Sequence, residues 1–198
     1  MARPRSEDKR NAILDAAIEE FAARGVWSTP TSAISRTAGV AEGTLFTYFA
    51  TKDVLVNELY RTLKVELAEA LMSTYPAQAT SREKFEHVWM QYLRWAMAHP
   101  LKCKVMGQLR VSDRITPETR EAGSAPFAEL LREGEACVRR KVFVDQPVQF
   151  IGAMFNGLAE ATMAALAEPD GSGTDYAAAG FDVFWRGIAR PAMKKETP

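Results

Sequence analysis

The chain has 198 residues, 47% hydrophobic and 25% charged, enough to bury one or two globular cores. Lys plus Arg and Asp plus Glu both total 25, so no overall basic charge points to nucleic acid. Cys103 and Cys137 are far apart and match no metal spacing, which predicts free thiols in a reducing cytoplasm.

Residues 1–5 form a short basic arm, with Arg3 and Arg5 able to reach a phosphate backbone. No apolar run of signal-peptide or membrane-spanning length is evident, so the expectation is a cytoplasmic protein with no membrane partner. Ser6 is expected to cap a first helix, with Glu7 and Asp8 in its first turn. Ile13, Leu14, Ala17, Ile18 and Phe21 make its apolar stripe, and Gly25 ends it.

Pro30 then halts the chain, and Thr31 is expected to cap a short helix whose inward residues are Ala33, Ile34 and Ala38. Gly39 stands where a left-handed residue must end that helix. Val40 plugs the corner. A second short helix starts at Glu42 or Gly43 and runs through Phe49. Leu45 and Phe49 share its buried face, while Thr44, Thr47 and Tyr48 carry hydroxyls elsewhere and Phe46 points outward. This pair reads as a helix-turn-helix, the second helix being shaped for a DNA groove. Residues 1–52 carry seven bases and six acids, a balance of 7 − 6 = +1. Asp15, Glu19 and Glu20 must therefore face away from any DNA.

Thr51 is expected to cap a long helix running to about Thr74, in which Leu55, Leu59, Leu63, Leu67 and Leu71 recur every four residues. Tyr75-Pro76 breaks it. Thr80 and Glu83 form a capping box for a helix to about Ala98. That helix is apolar around most of its circumference, with Lys84, His87, Gln91 and Arg94 as a polar stripe. A shorter helix follows Pro100 to about Val111. Thr116-Pro117 starts another that Gly123, Pro126 and Gly134 make irregular. After Asp145-Gln146-Pro147, Val148, Ile151, Phe155, Leu158 and Thr162 follow the spacing of a packing seam. Past the loop at 169–173, Thr174 is expected to cap a last helix with the seam Ala177, Phe181, Phe184 and Ile188. The terminus from Arg190 is expected to fray. No segment has strand periodicity, and no internal repeat appears.

The stretches Ala38-Gly39-Val40, Gly43-Thr44-Leu45-Phe46-Thr47-Tyr48-Phe49 and Thr51-Lys52-Asp53-Val54-Leu55 resemble the DNA-binding domain of the tetracycline-repressor (TetR) family of bacterial regulators. The resemblance covers roughly residues 7–60. It implies that Thr44, Phe46 and Thr47 lie at base edges or nearby sugar and phosphate. It also implies that Thr31, Tyr48 and Lys52 hold phosphates. Phe46 stands where the family often has Tyr, so a hydroxyl is lost there, although contact with a thymine methyl is retained as an option.

The expected fold is all-α: an N-terminal three-helix helix-turn-helix DNA-binding domain over 1–52, then a helical bundle over 53–198 carrying ligand-binding and dimerisation functions. One recognition helix buries too little surface for tight specific binding. Two copies roughly 34–36 Å apart read a palindrome, and the seams of the last two helices suit a four-helix interface across a two-fold axis. The resemblance implies the same homodimer interface and an inducer cavity in the body. Candidate lining residues are Trp89, Tyr92, Met106, Phe127, Met154 and Phe155, whose rings and thioethers suit a small apolar or aromatic ligand. No cofactor or metal is implied. His87 and His99 fit no di-iron or nucleophile motif, so an enzyme is not expected. Two rivals remain at this level. One is a helical interaction or DNA-architecture protein without ligand control. The other is a thiol sensor in which Arg139, Arg140 and Lys141 activate Cys137.

Overall fold

The structure is a computed structural model and describes residues 6–168, 171 and 173–190. The basic arm 1–5, positions 169, 170 and 172 of the loop, and the terminus from 191 lie outside the described residues. The helices are α1 (Glu7–Arg24), α2 (Thr31–Thr37), α3 (Glu42–Tyr48), α4 (Lys52–Met72), α5 (Ser81–Ala98), α6 (Pro100–Arg110), α7 (Pro117–Ser124), α8 (Ala128–Arg139), α9 (Val148–Ala167) and α10 (Tyr176–Ile188). A 3-10 turn over Ala125–Phe127 joins α7 to α8, the irregularity that Gly123 and Pro126 foretold. The fold is all-α as expected, with one isolated antiparallel bridge between Phe143 and Ala189.

The chain divides into two compact units: Met1–Ala68 with Ala98–Pro126, and Glu69–Met97 with Phe127–Pro198. In the first unit α1 packs on α2 and α6, and α2 on α3. Ile13, Ala17, Phe21, Ile34, Leu45, Leu55 and Leu59 are all sealed from solvent. Burying each of the Ile, Leu and Phe side chains contributes roughly 1.5–3 kcal/mol, and this keeps two seven-residue helices folded that would not persist alone. Polar ties fix the loops around that core. The Val26 N–H donates to Gln108 Oε1 at 3.2 Å, and Lys102 donates to both oxygens of Glu66 at 2.7 and 2.8 Å. Arg10 pairs with Glu58.

In the second unit Trp89 is fully buried on α5, stacked at 6.0 Å on Phe184 of α10 and edge-on at 5.3 Å to Phe155 of α9. Its indole N–H donates to the Ala177 carbonyl at 2.9 Å, so this large ring is held with its polar atom satisfied. Gly180 allows α10 this close. A Cβ there would overlap Thr162 Oγ1 and stand 2.8 Å from the Trp89 ring. The expected α10 seam of Phe181, Phe184 and Ile188 is thus consumed inside the protomer, each residue at most 1% exposed.

Three expected caps are corrected. Ser6 occupies the N-cap of α1, but its side chain makes no cap bond. The N-cap of α2 is Pro30, because Thr31 already lies inside the helix. Asp175, not Thr174, caps α10, accepting from the Ala178 N–H at 3.0 Å. The Thr80–Glu83 box and the Thr116 cap form as read: Glu83 accepts the Thr80 N–H at 2.8 Å, and Thr116 accepts from Thr119 at 3.2 Å. α9 departs from the sequence expectation differently. It is a 20-residue helix of mean hydropathy 1.3, long and apolar enough to span a membrane, with 17% of its apolar window buried.

Candidate nucleic-acid interface

The turn between α2 and α3 closes as the sequence requires. Gly39 sits at φ +66°, its N–H donates to Arg36 O at 3.1 Å, and the Val40 N–H donates to Ser35 O at 2.9 Å. These two bonds satisfy carbonyls at the end of α2 and set the angle at which α3 leaves. Leu45, fully buried, anchors α3, and Phe49 follows it into the core. The opposite face is open. Phe46 is 42% exposed, Thr47 is exposed, and Thr44 is partly exposed beside them.

The proposed phosphate holders have partners of their own. Tyr48 Oη accepts the Ser6 N–H at 2.8 Å, a bond that leaves its own proton uncommitted. It ties the start of α1 to the end of α3. The Lys52 ammonium donates to the Thr29 carbonyl at 2.6 Å and the Trp27 carbonyl at 3.3 Å, and lies 5.8 Å from the ring centres of both Phe21 and Trp27. Burial lowers its pKa from the ordinary lysine value, and the Asp53 charge pulls it back up. Lys52 therefore braces the loop before α2 with two of its three N–H donors. Thr47 Oγ1 donates to the Gly43 carbonyl at 2.9 Å. Thr31 Oγ1 donates to the Glu42 carboxylate at 2.8 Å.

Two side chains that sequence reasoning gave no part at this face stand on it: Glu42 and Trp27. The pattern marked Glu42 only as a helix start and gave Trp27 no reading. Of the acids that had to be turned away, Glu20 is met by Arg24 at 3.1 Å and by the Thr37 hydroxyl at 2.7 Å. Thr31, Phe46 and Lys52 line one groove of about 580 Å³ together with Trp27, Ser28 and Thr51. The structure thus brings three of the six DNA-contact candidates to one depression and leaves Thr44, Thr47 and Tyr48 on α3 outside its lining.

The ligand-pocket candidates fall in both units. Trp89, Tyr92 and Phe155 meet in the second, with Tyr92 edge-on to Phe155 at 5.6 Å. Met154 and Phe155 are half-buried on α9, and Phe127 is 8% exposed in the 3-10 turn. Met106, 8% exposed, belongs to α6 of the first unit.

The thiol-sensor expectation is overturned. Cys137 is fully buried, and burial pushes its thiol pKa up. Bonds from Ser81 and Arg140 pull the other way, and the Glu133 carboxylate adds to the rise. The basic run next door in sequence thus meets a thiol closed off from solvent, with its pKa pushed up rather than down. Among the described residues no cluster of three or more His, Cys, Asp or Glu is placed to hold a metal ion.

Residues 13–59, which span α1 to the first turns of α4, match the family model described as bacterial regulatory proteins, tetR family. These residues form a TetR-family DNA-binding domain. An uncharacterised helix-turn-helix transcriptional regulator of Bacillus subtilis is 23% identical over 133 residues, 67% of this chain and 64% of that protein. The chain thus spans just under two thirds of that relative's length. A TetR-family transcription regulator from Marinobacter aquaeolei has the same fold, with a TM-score of 0.83 at 20% identity over 93% of this chain and 97% of that one. The transcriptional regulator FadR of Bacillus subtilis, solved with stearoyl-CoA, superposes with a TM-score of 0.67 at 20% identity, covering 90% and 99%. The TetR family is one of transcriptional regulators, and its helix-turn-helix is the part of this chain that matches.

Proposed function

We propose that this protein is a cytoplasmic TetR-family transcriptional regulator that binds a palindromic operator as a homodimer and is released by a small apolar or aromatic ligand. The observation that carries the reading is the outer face of α3. Leu45 fixes the helix from behind, and Thr44, Phe46 and Thr47 are left on its accessible side. In this reading residues 1–52 read DNA and 53–198 take the ligand and the second protomer. Thr44, Phe46 and Thr47 meet base edges and nearby backbone, and Thr31, Tyr48 and Lys52 meet phosphates.

Dimerisation is supported by what α9 and α10 leave uncovered. Phe150, Ala153, Gly157, Ala161 and Ala164 follow one another along the exposed side of α9, and Val183 is 58% exposed on α10. Small residues on an apolar helix let a partner helix approach closely, and two such pairs make a four-helix contact. This accounts for the apolar α9 without a membrane.

Ligand release follows from linkage. A ligand preferring the body shape in which two α3 helices no longer fit successive grooves lowers DNA affinity by its differential affinity for that shape. Trp89, Tyr92, Phe127, Met154 and Phe155, all of the second unit, are the proposed lining. That a relative of this fold was solved with stearoyl-CoA supports a ligand with a large apolar part. A gel shift of the full-length protein on the promoter beside its own gene tests the reading. A specific complex that survives competitor DNA is expected, and its absence on every promoter fragment tried would sink it.

A further inference from the structure

Trp27 has no evident packing reason to be where it is. It sits in the loop between α1 and α2 with 49% of its surface exposed. Yet its ring is not loose: Lys52 Nζ lies 5.8 Å from a ring of Trp27 and Arg114 Cζ 6.0 Å. Arg114 is itself held by Asp53 at 3.2 Å. Cation–π contacts of this kind orient a ring while leaving much of it open. The indole N–H is a donor with a preference for a polar partner.

Trp27 and Lys52 line two adjoining depressions. One contains Asp53, Asp113 and Arg114, and its two carboxylates repel a phosphate. The other is the groove of about 580 Å³ with Ser28, Thr31, Phe46 and Thr51, where Lys52 is the sole charged side chain in the lining. That second groove offers the hydroxyls of Ser28 and Thr51, the Thr31 hydroxyl once Glu42 gives it up, the Lys52 ammonium and two aromatic walls. A deoxyribose-phosphate segment presents the matching chemistry: an anionic oxygen for the donors and a flat apolar sugar face for the rings.

We propose that Trp27 is a DNA-backbone contact, packing on deoxyribose and donating its indole N–H to phosphate, and that the Trp27–Lys52 groove seats one strand's sugar-phosphate. This rests on the regulator reading and adds a residue to it. Because the contact is to backbone, Trp27 adds affinity for every sequence alike. Because Trp27 is neutral, it releases no counterion, and its loss leaves the salt slope unchanged. Lys52 differs on that point.

The test uses full-length protein carrying 5-fluorotryptophan, titrated at low salt with a short duplex of arbitrary sequence. The Trp27 fluorine resonance is assigned by its absence in W27F, which keeps an aromatic ring in the loop. Lys52 holds the Trp27 backbone carbonyl, so its brace survives either substitution. The expected result is a saturable shift of the Trp27 resonance. W27A should also bind about five- to tenfold more weakly to all duplexes, the loss typical of one interface aromatic, with an unchanged salt slope. Saturating DNA binding with an unmoved Trp27 resonance, or with W27A affinity equal to wild type, overturns the proposal and leaves the regulator reading standing. No duplex binding by the wild-type protein overturns both.

Discussion

The side-chain amide of Asn57 donates to the Arg114 carbonyl at 2.9 Å, joining the first turns of α4 to the loop between α6 and α7. The same amide donates to Asp53 O at 2.8 Å, and its oxygen accepts the Thr116 N–H at 3.0 Å. Asn57 is 7% exposed, so these backbone groups have little recourse to water. N57L keeps the volume and orphans them. Its expected cost is about 2–3 kcal/mol, one or two buried groups left unsatisfied. Urea denaturation measures it, and a loss below about 0.5 kcal/mol would show that the loop finds other partners.

Glu42 places a carboxylate on the face proposed for DNA and takes the Thr31 hydroxyl as its donor. A phosphate must compete for that proton and bear the nearby charge. E42Q is therefore expected to tighten binding to arbitrary duplex by about two- to fivefold at low salt, converging with wild type as salt screens the charge. Selective weakening of the operator alone would instead make Glu42 a base acceptor.

Lys52 and Thr47 should separate by kind of contact. K52A is expected to weaken all duplexes similarly and to flatten the salt dependence by about one ion. T47A should change sequence preference more than non-specific affinity. Filter binding across a salt series checks the first, and selection from a random-sequence pool the second. An unchanged slope removes Lys52 from the phosphates, and an unchanged motif removes Thr47 from the bases.

Glu133 gives the second unit an acid limit. Burial pushes its carboxyl up, but hydrogen bonds from Lys84, Ser81 and Cys137 and the Lys84 charge win and hold it at about 2. Lys84 is 3.1 Å away and Arg140 2.8 Å. A depressed carboxyl contributes stability that is complete above its ordinary value of 4.5 and drains as pH falls toward 2. E133Q should lose roughly 1–3 kcal/mol near neutrality, and its deficit against wild type should shrink across that acid window. A deficit that stays constant from neutrality to pH 2 would locate the effect in packing.

Two glycines should behave oppositely. G180A forces a Cβ against Thr162 and Trp89 and is expected to destabilise by about 1–3 kcal/mol. Gly157 has nothing within 4 Å of its missing Cβ. G157L should leave the protomer folded by circular dichroism yet shift it toward monomer in analytical ultracentrifugation. A G157L dimer as tight as wild type would move the interface elsewhere.

Much of this protein was legible in the sequence because it is written locally. The leucine ladder from Leu55 to Leu71, the Thr80–Glu83 box and the Gly39 turn each depend on residues a few positions apart, and each formed as read. What only the tertiary structure decided depends on residues far apart. Phe181 and Phe184 read as a seam for a partner, but Trp89, some ninety residues earlier in the chain, claimed them through a gap that Gly180 leaves. Basic neighbours made Cys137 a candidate for activation, but the fold withdraws the thiol from solvent. Trp27 and Glu42 gave no periodic signal, since their place on the α3 face is set by the fold. Periodicity reports which side of a helix is apolar; only packing determines what that side meets.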